Sequence, residues 1–193
     1  MSARRYTGVL LLFATQRLIE LLYSERNERQ IHRRQPDAPQ AGRSVWGWIA
    51  AVNLGLFTLP ALERAGRGRA SPRPVAALGW AAVIGAVALR LSVIATLRES
   101  WNVRAIVPSE LRVVDRGPYR FIRHPNYLAL GLEFLGLPLI GGAYASAVGL
   151  SLANALLLRR RIREEDALLM AIPAYRERMA DKPAFLPRLL SGR

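Results

Sequence analysis

Residues 124 to 158 run for 35 positions with a single charge, Glu133. As one straight helix rising about 1.5 Å per residue this stretch would reach roughly 52 Å, well beyond the roughly 30 Å hydrocarbon core of a bilayer. Pro138 and the pair Gly141-Gly142 sit near its middle, where proline removes a helix hydrogen bond and glycine accepts the left-handed conformation that ends helices. The stretch is therefore expected to fold back as a hairpin of two helices. Its arms are short, so the second is expected to continue through residues 159 to 170 as one helix that leaves the apolar layer. A fold-back of this kind puts two polar segments on the same side: 115 to 127, DRGPYRFIRHPNY, and 154 to 169, NALLLRRRIREEDALL.

Three further apolar runs precede the hairpin. Residues 6 to 24 are long enough for a first span, with Arg17 and Glu20 three apart and so on one face, pointing into a bundle or snorkelling. An internal salt bridge and a role at a site are both open for that pair. No small-residue cleavage site follows this run, so it is expected to be retained. Residues 24 to 43 read as a polar loop with five arginines, in which Pro36 and Pro39 prevent a long helix. Residues 45 to 62 form a second, charge-free span opened by Trp46 and Trp48, which suit the headgroup level. Residues 74 to 97 form a third, interrupted only by Arg90. Residues 98 to 123 are polar, with turns at Val107-Pro108 and Gly117-Pro118, and too long for a plain connector. The expected architecture is a single all-α domain, 1 to 193. It is a polytopic integral membrane protein of about five transmembrane helices, with three N-terminal spans in 1 to 97 and a cofactor-binding half in 98 to 193.

Charge orients this topology. The chain has 28 Lys and Arg against 14 Asp and Glu, and Lys182 is the only lysine. A soluble nucleic-acid binder would be basic too, but without long charge-free apolar runs, so nucleic acid is not an expected partner. Five spans put 20 of the basic residues on one side and 6 on the other, with Arg17 and Arg90 inside spans. The positive-inside rule makes the richer side cytosolic and leaves the N-terminus outside, in a bacterial cytoplasmic membrane. Cysteine is absent and only His32 and His124 are available, so no thiolate chemistry and no metal site are expected.

The two polar segments carry the candidate chemistry. Pro125 suits the first position of a helix, whose exposed N–H groups and positive dipole end could hold a small anion beside Arg123 and His124. Lipid phosphates are the other reading for Arg120 and Arg123. In RRRIREED, Arg160 to Glu164 and Arg161 to Glu165 are i,i+4 pairs that would sit on a solvated helix. Asn154, Leu158, Arg161 and Glu165 nevertheless form one helical stripe from membrane depth to cytosol. Donors for a carboxylate and acids for an ammonium or sulfonium match the groups of S-adenosylmethionine.

GPYRFIRHPNY, the apolar hairpin and RIREEDALL resemble the isoprenylcysteine carboxyl methyltransferase family of membrane methyltransferases, which shows an RHPxY element and a double-glutamate element in this order. The likeness covers about residues 98 to 178, including Ala174-Tyr175-Arg176. A closer likeness is to the small bacterial branch that O-methylates phenolic lipids made by type III polyketide synthases. It rests on Arg17-Leu18-Ile19-Glu20, Ser24-Glu25-Arg26-Asn27, residues 98 to 108 and Asn154-Ala155. The resemblance implies a cofactor at the cytosolic mouth between the two elements and a lipophilic acceptor arriving from the bilayer. His124, Tyr127 and the backbone at Pro125 and Leu128 would hold the methionine part of S-adenosylmethionine. Glu164 or Glu165 would bind its amine or ribose side, and Tyr119 would line the pocket. The segment Ala171-Ile172-Pro173-Ala174-Tyr175 departs from the Phe-Gly that the family places before the tyrosine, which affects the last helix turn.

A phenol acceptor, with a pKa of about 10, needs a base or a stabilising cation near its oxygen, whereas a carboxylate acceptor does not. Glu99, Glu133 and His124 are candidates for the base, Arg90 and Arg104 for the cation, and Trp101 for covering an aromatic head. Arg90 snorkelling, with Glu133 as its partner, and Trp101 as an interfacial anchor are the structural readings. Three other functions stay open: a prenylcysteine-type carboxyl methyltransferase, an NADPH-dependent membrane reductase, and a scaffold that recruits a soluble partner such as a type III polyketide synthase. The reductase pattern, with a Gly-Glu pair close behind the tyrosine, fits less well because Glu133 lies six residues after Tyr127.

Overall fold

A computed structural model describes residues 1–186. It contains six helices: α1 (Ala3–Arg34), α2 (Trp46–Arg67), α3 (Arg73–Leu97), α4 (Pro125–Gly141), α5 (Tyr144–Met170) and α6 (Pro173–Met179). No strand occurs among the described residues, and a single isolated bridge pairs Gln40 with Ile106. The all-helical expectation holds. Two helices with their flanking turns, Arg43–Arg67 and Arg73–Ser100, are long and apolar enough to cross a membrane. α1 carries Arg17 and Glu20, α4 is 17 residues long, and the second half of α5 is charged. Of the basic residues counted to the richer side, Arg188 and Arg193 lie outside the described residues.

The hairpin forms where the sequence placed it. α4 starts on Pro125 and ends at Gly142, whose φ of 78° is the left-handed conformation of a helix terminus. The Ala143 N–H then donates to the Pro138 carbonyl at 2.9 Å, so Pro138 sits in the last turn of α4 and the chain reverses after it. α5 continues unbroken through RRRIREED to Met170. Beyond it Ile172 is extended and Pro173 opens α6, which keeps Tyr175 buried despite the unusual sequence before it.

One expectation is corrected. Residues 24 to 43 are not a loop throughout, because α1 continues past Ser24 to Arg34. Glu25, Arg26, Glu28, Arg29 and Gln30 are good helix formers, and Arg29 bonds Glu25 one turn away at 3.1 Å. The prolines act only at Gln35, which precedes Pro36 and leaves the helix with φ of −145°.

All five long helices contribute to one apolar core, built from Tyr6, Leu10, Leu56, Val83, Phe134, Leu137, Ile140 and Leu150. The Tyr6 hydroxyl donates to the Leu137 carbonyl at 3.1 Å. The same helices carry large apolar side chains on their outer faces, among them Leu12, Leu54, Leu78, Leu135 and Leu156. Charge, by contrast, is sealed inside. Arg90 on α3 is 2% exposed and donates to both carboxylate oxygens of Glu133 on α4, at 3.2 and 3.0 Å. Arg17 on α1 bonds Glu20 at 3.0 Å and also Glu133, and Arg90 lies 3.7 Å from Glu20. Two guanidiniums and two carboxylates thus balance, and the Arg17–Glu20 pair points into the bundle.

α3 and α4 approach closely at Gly79 and Gly136. A Cβ built on Gly136 would lie 2.7 Å from Val83 Cγ2 and 2.8 Å from the Gly79 carbonyl, whereas one on Gly131 meets nothing within 4 Å. Overpacking of this kind costs about 1–3 kcal/mol. Gly136→Ala is therefore expected to lower the thermal midpoint of the detergent-solubilised protein, while Gly131→Ala should leave it unchanged or raise it, as read by intrinsic tryptophan fluorescence.

Candidate functional site

The start of α4 is held from two sides. Residues 117 to 120 form a tight turn, and the Arg123 and His124 N–H groups donate to the Pro183 and Ala184 carbonyls at 3.0 and 2.9 Å. Lys182 Nζ reaches back to the Tyr119 carbonyl at 2.8 Å, so the 182–184 segment straps this turn against the helix. Pro125 has no N–H, and the Leu128 N–H is taken by the His124 carbonyl at 3.2 Å. Neither Pro125 nor Leu128 therefore offers a free N–H. The amides without an acceptor among the described residues are those of Asn126 and Tyr127, the orphan positions of a helix N-terminus.

Facing this start is the extension of α5, whose inward stripe is the one the sequence marked. Asn154, Leu158 and Arg161 are each buried, and Glu165 takes the Tyr127 hydroxyl bond. Successive helix positions differ by about 100°, so the three acids part company. Glu164 turns to the Gly42 N–H at 2.7 Å and to Arg160 at 3.1 Å. Glu165 faces Tyr127. Asp166 accepts from His124 Nε2 at 2.9 Å and from Arg123 at 3.3 Å. Arg161 does not pair with Glu165. Its guanidinium lies over the Tyr127 ring, 5.4 Å from the centroid, and bonds the Val103 carbonyl.

Between the two elements lies a recess of about 840 Å³ including its open mouth. Its walls include Trp101, Tyr119, His124, Tyr127, Glu165 and Tyr175, together with Asn126, Arg161 and the 105–107 and 111–114 segments. Two buried donors in these walls, Trp101 Nε1 and Arg161 Nε, have no partner among the described residues. Free amides and unpartnered donors suit a carboxylate or other acceptor groups, and Glu165 suits a cation. A ligand carrying both therefore fits.

Five of the twelve residues singled out in the sequence meet here: Tyr119, His124, Tyr127, Glu165 and Trp101 line the recess. Others do not. Glu164 is held on the Gly42 side, and Pro125 and Leu128 only build the helix start. Glu99 is exposed on an outer groove between α1 and the 108–116 segment. Arg104 pairs with Glu28 at 3.3 Å and covers the Trp46 ring. Glu133 and Arg90 bind each other inside the bundle. Asp166 and Arg161 were not among the site residues expected; the helical stripe already pointed to Arg161, while nothing in the sequence separated Asp166 from its acidic neighbours.

Electrostatics follow from these contacts. The Gly42 amide and then Arg160 hold the Glu164 carboxyl below its ordinary value. Burial would push Asp166 up, but the His124 hydrogen bond and the His124 and Arg123 charges outweigh it and hold the carboxyl below the ordinary 3.8. Burial first, then the Glu165 charge, pushes the Tyr119 and Tyr175 phenols well above the usual range, so both remain donors near neutral pH.

Residues 77–171 match the model of the isoprenylcysteine carboxyl methyltransferase family. The chain is 32% identical over 162 residues to the Bacillus subtilis protein described as uncharacterized protein YpbQ, covering 83% of this chain and 94% of that one. An uncharacterized protein of Haemophilus influenzae is 31% identical over 119 residues, 61% of this chain and 69% of its own length. The cobalt-zinc-cadmium resistance protein CzcN of Cupriavidus metallidurans is 41% identical over 78 residues, 40% of this chain and 36% of that one.

Asp166 yields a pH-dependent prediction. A carboxyl whose folded pKa is depressed stabilises the fold above its unfolded value and loses that effect as pH falls through the folded value. Asp166→Asn should melt below wild type throughout pH 5 to 7, and the gap should close on acidification below the ordinary 3.8. Paired thermal melts across pH check this.

Proposed function

The chain belongs to the isoprenylcysteine carboxyl methyltransferase family of membrane methyltransferases, and we propose that it is an integral membrane enzyme that uses S-adenosylmethionine to O-methylate a lipophilic acceptor, a phenolic lipid or pyrone. One observation carries this reading. The helix start at RHPNY and the helix bearing Glu165 close around a common recess, joined across it by the Tyr127 to Glu165 hydrogen bond. Five spans are supported by the apolar outer faces of α1 to α5 and the paired charge inside them. The arginine balance favours a cytosolic recess and an outside N-terminus in a bacterial cytoplasmic membrane.

In this reading the free amide of Tyr127, with Arg161, takes the cofactor's carboxylate, and Glu165 its ammonium. His124 is fixed by Asp166 and orients the same part. The cofactor supplies a methyl group on a sulfonium, and the walls of the recess align it with the acceptor and exclude water. With the methyl group supplied in this way, a phenol acceptor would give up its proton as its oxygen is methylated, and a base in the recess would take it. Among the candidate bases His124 alone lines the recess. A type III polyketide synthase is the partner that would supply such phenolic lipids.

Removing a charge-assisted hydrogen bond to a bound ligand costs about 1.5–3 kcal/mol, at least tenfold in affinity. Purified protein in nanodiscs is expected to bind S-adenosylmethionine in calorimetry, and His124→Ala and Glu165→Ala to bind it at least tenfold more weakly at unchanged expression. Absence of binding by folded wild-type protein, or stabilisation by NADPH in its place, would overturn the reading.

A further inference from the structure

Asn126 stands between the proline and the tyrosine of RHPNY, and it lines the recess. Its Oδ1 accepts from Arg90 Nη1 at 3.1 Å. A guanidinium only donates, so it decides which way an amide faces: the oxygen must turn to Arg90 and the NH2 group must turn away. Arg90 cannot move to another orientation without cost, because Glu133 and Glu20 grip it from the opposite side. The NH2 group of Asn126 makes no hydrogen bond among the described residues. A buried ion cluster therefore fixes the orientation of a neutral donor on a residue that lines the recess.

We propose that the Asn126 Nδ2 donor holds the reacting oxygen of the acceptor, and that this oxygen belongs to a neutral phenol or pyrone rather than to a carboxylate. The inference rests on the methyltransferase reading. Its location supports the assignment. Arg90 lies within the apolar part of α3 and is 2% exposed, so Asn126 sits on the side from which a lipophilic molecule arrives. Charge supports the chemical class. Arg90 and Arg17 are both neutralised by Glu133 and Glu20, so a full carboxylate at Asn126 would gain no net positive charge from this cluster. A phenol or carbonyl oxygen needs only a donor, which an amide provides without giving up its proton. Arg90 then acts through Asn126 as a positioning residue and does not touch the acceptor.

Asn126→Asp is the discriminating variant. It keeps an oxygen for Arg90 but replaces the donor with a second acceptor oxygen. Titration of 5-pentylresorcinol into nanodisc-embedded protein should show binding by wild type and at least tenfold weaker binding by Asn126→Asp and Asn126→Ala, with S-adenosylmethionine affinity within about twofold of wild type in both. In wild type a prenylcysteine carboxylate should bind at least tenfold more weakly than the resorcinol. Equal resorcinol affinity in wild type and both variants, or tighter binding of the carboxylate, would overturn the proposal. Because the readout is binding, failure here is distinct from failure of the methyltransferase reading, which would show as a bound resorcinol that receives no methyl group from the cofactor.

Discussion

Two guanidiniums and two carboxylates enclosed among apolar helices can exist there only as a balanced set. Arg17, Glu20, Arg90 and Glu133 come from α1, α3 and α4, which are far apart in sequence, and each member meets at least one opposite charge. Leaving one such charge uncompensated typically costs about 3–5 kcal/mol. The set therefore fixes how α1 is rotated and how deep it sits against the α3–α4 pair, with a directionality that apolar packing lacks. It also explains why apolar helices interrupted by charge still pack into one bundle: every interruption has its complement on another helix.

From that anchor the rest of the site is built outward. α4 is fixed along α3 by close approach at Gly79 and Gly136, so the helix start at Pro125 has a defined place. The turn at Gly142 returns α5 alongside α4, and the unbroken length of α5 carries Arg161, Glu165 and Asp166 back to the level of His124 and Tyr127. The recess is thus a consequence of a hairpin whose second arm outruns the first.

The hairpin and the stripe were legible in the sequence because each rests on local rules. Proline and glycine mark where a helix reverses, and a three-four spacing marks one face, so Asn154, Leu158, Arg161 and Glu165 could be assigned inward together. The fate of Glu164 and Asp166 could not be read, because three adjacent acids spread over most of a helix circumference and their partners, the Gly42 amide and His124, come from distant parts of the chain. Glu133 and Arg90 were visible as lone charges in apolar runs with each other as partners in view; the bond from Arg90 to Asn126 depends on three-dimensional packing. Pro36 and Pro39 leave residues 24 to 34 helical, because the first of them acts on Gln35, the residue before it, and both lie beyond the end of α1.

That extra length of α1 has a role in the site. Asn27, 1% exposed, donates to the Arg98 and Trp101 carbonyls at 3.1 and 2.8 Å, and Ser24 accepts the Val103 N–H at 2.7 Å. The loop after α1 adds the Ala41 N–H bond to Ala105 and the Val107 N–H bond to Pro39. Together these contacts give residues 98 to 107 a fixed path without regular secondary structure, and that path carries Trp101 and one wall of the recess. Ser24, Asn27 and Gly42 all lie before residue 77, where the family match begins. The first part of the chain therefore does more than pack against the second: a bundle lacking the last turns of α1 would keep both polar segments but lose the wall that closes the space between them.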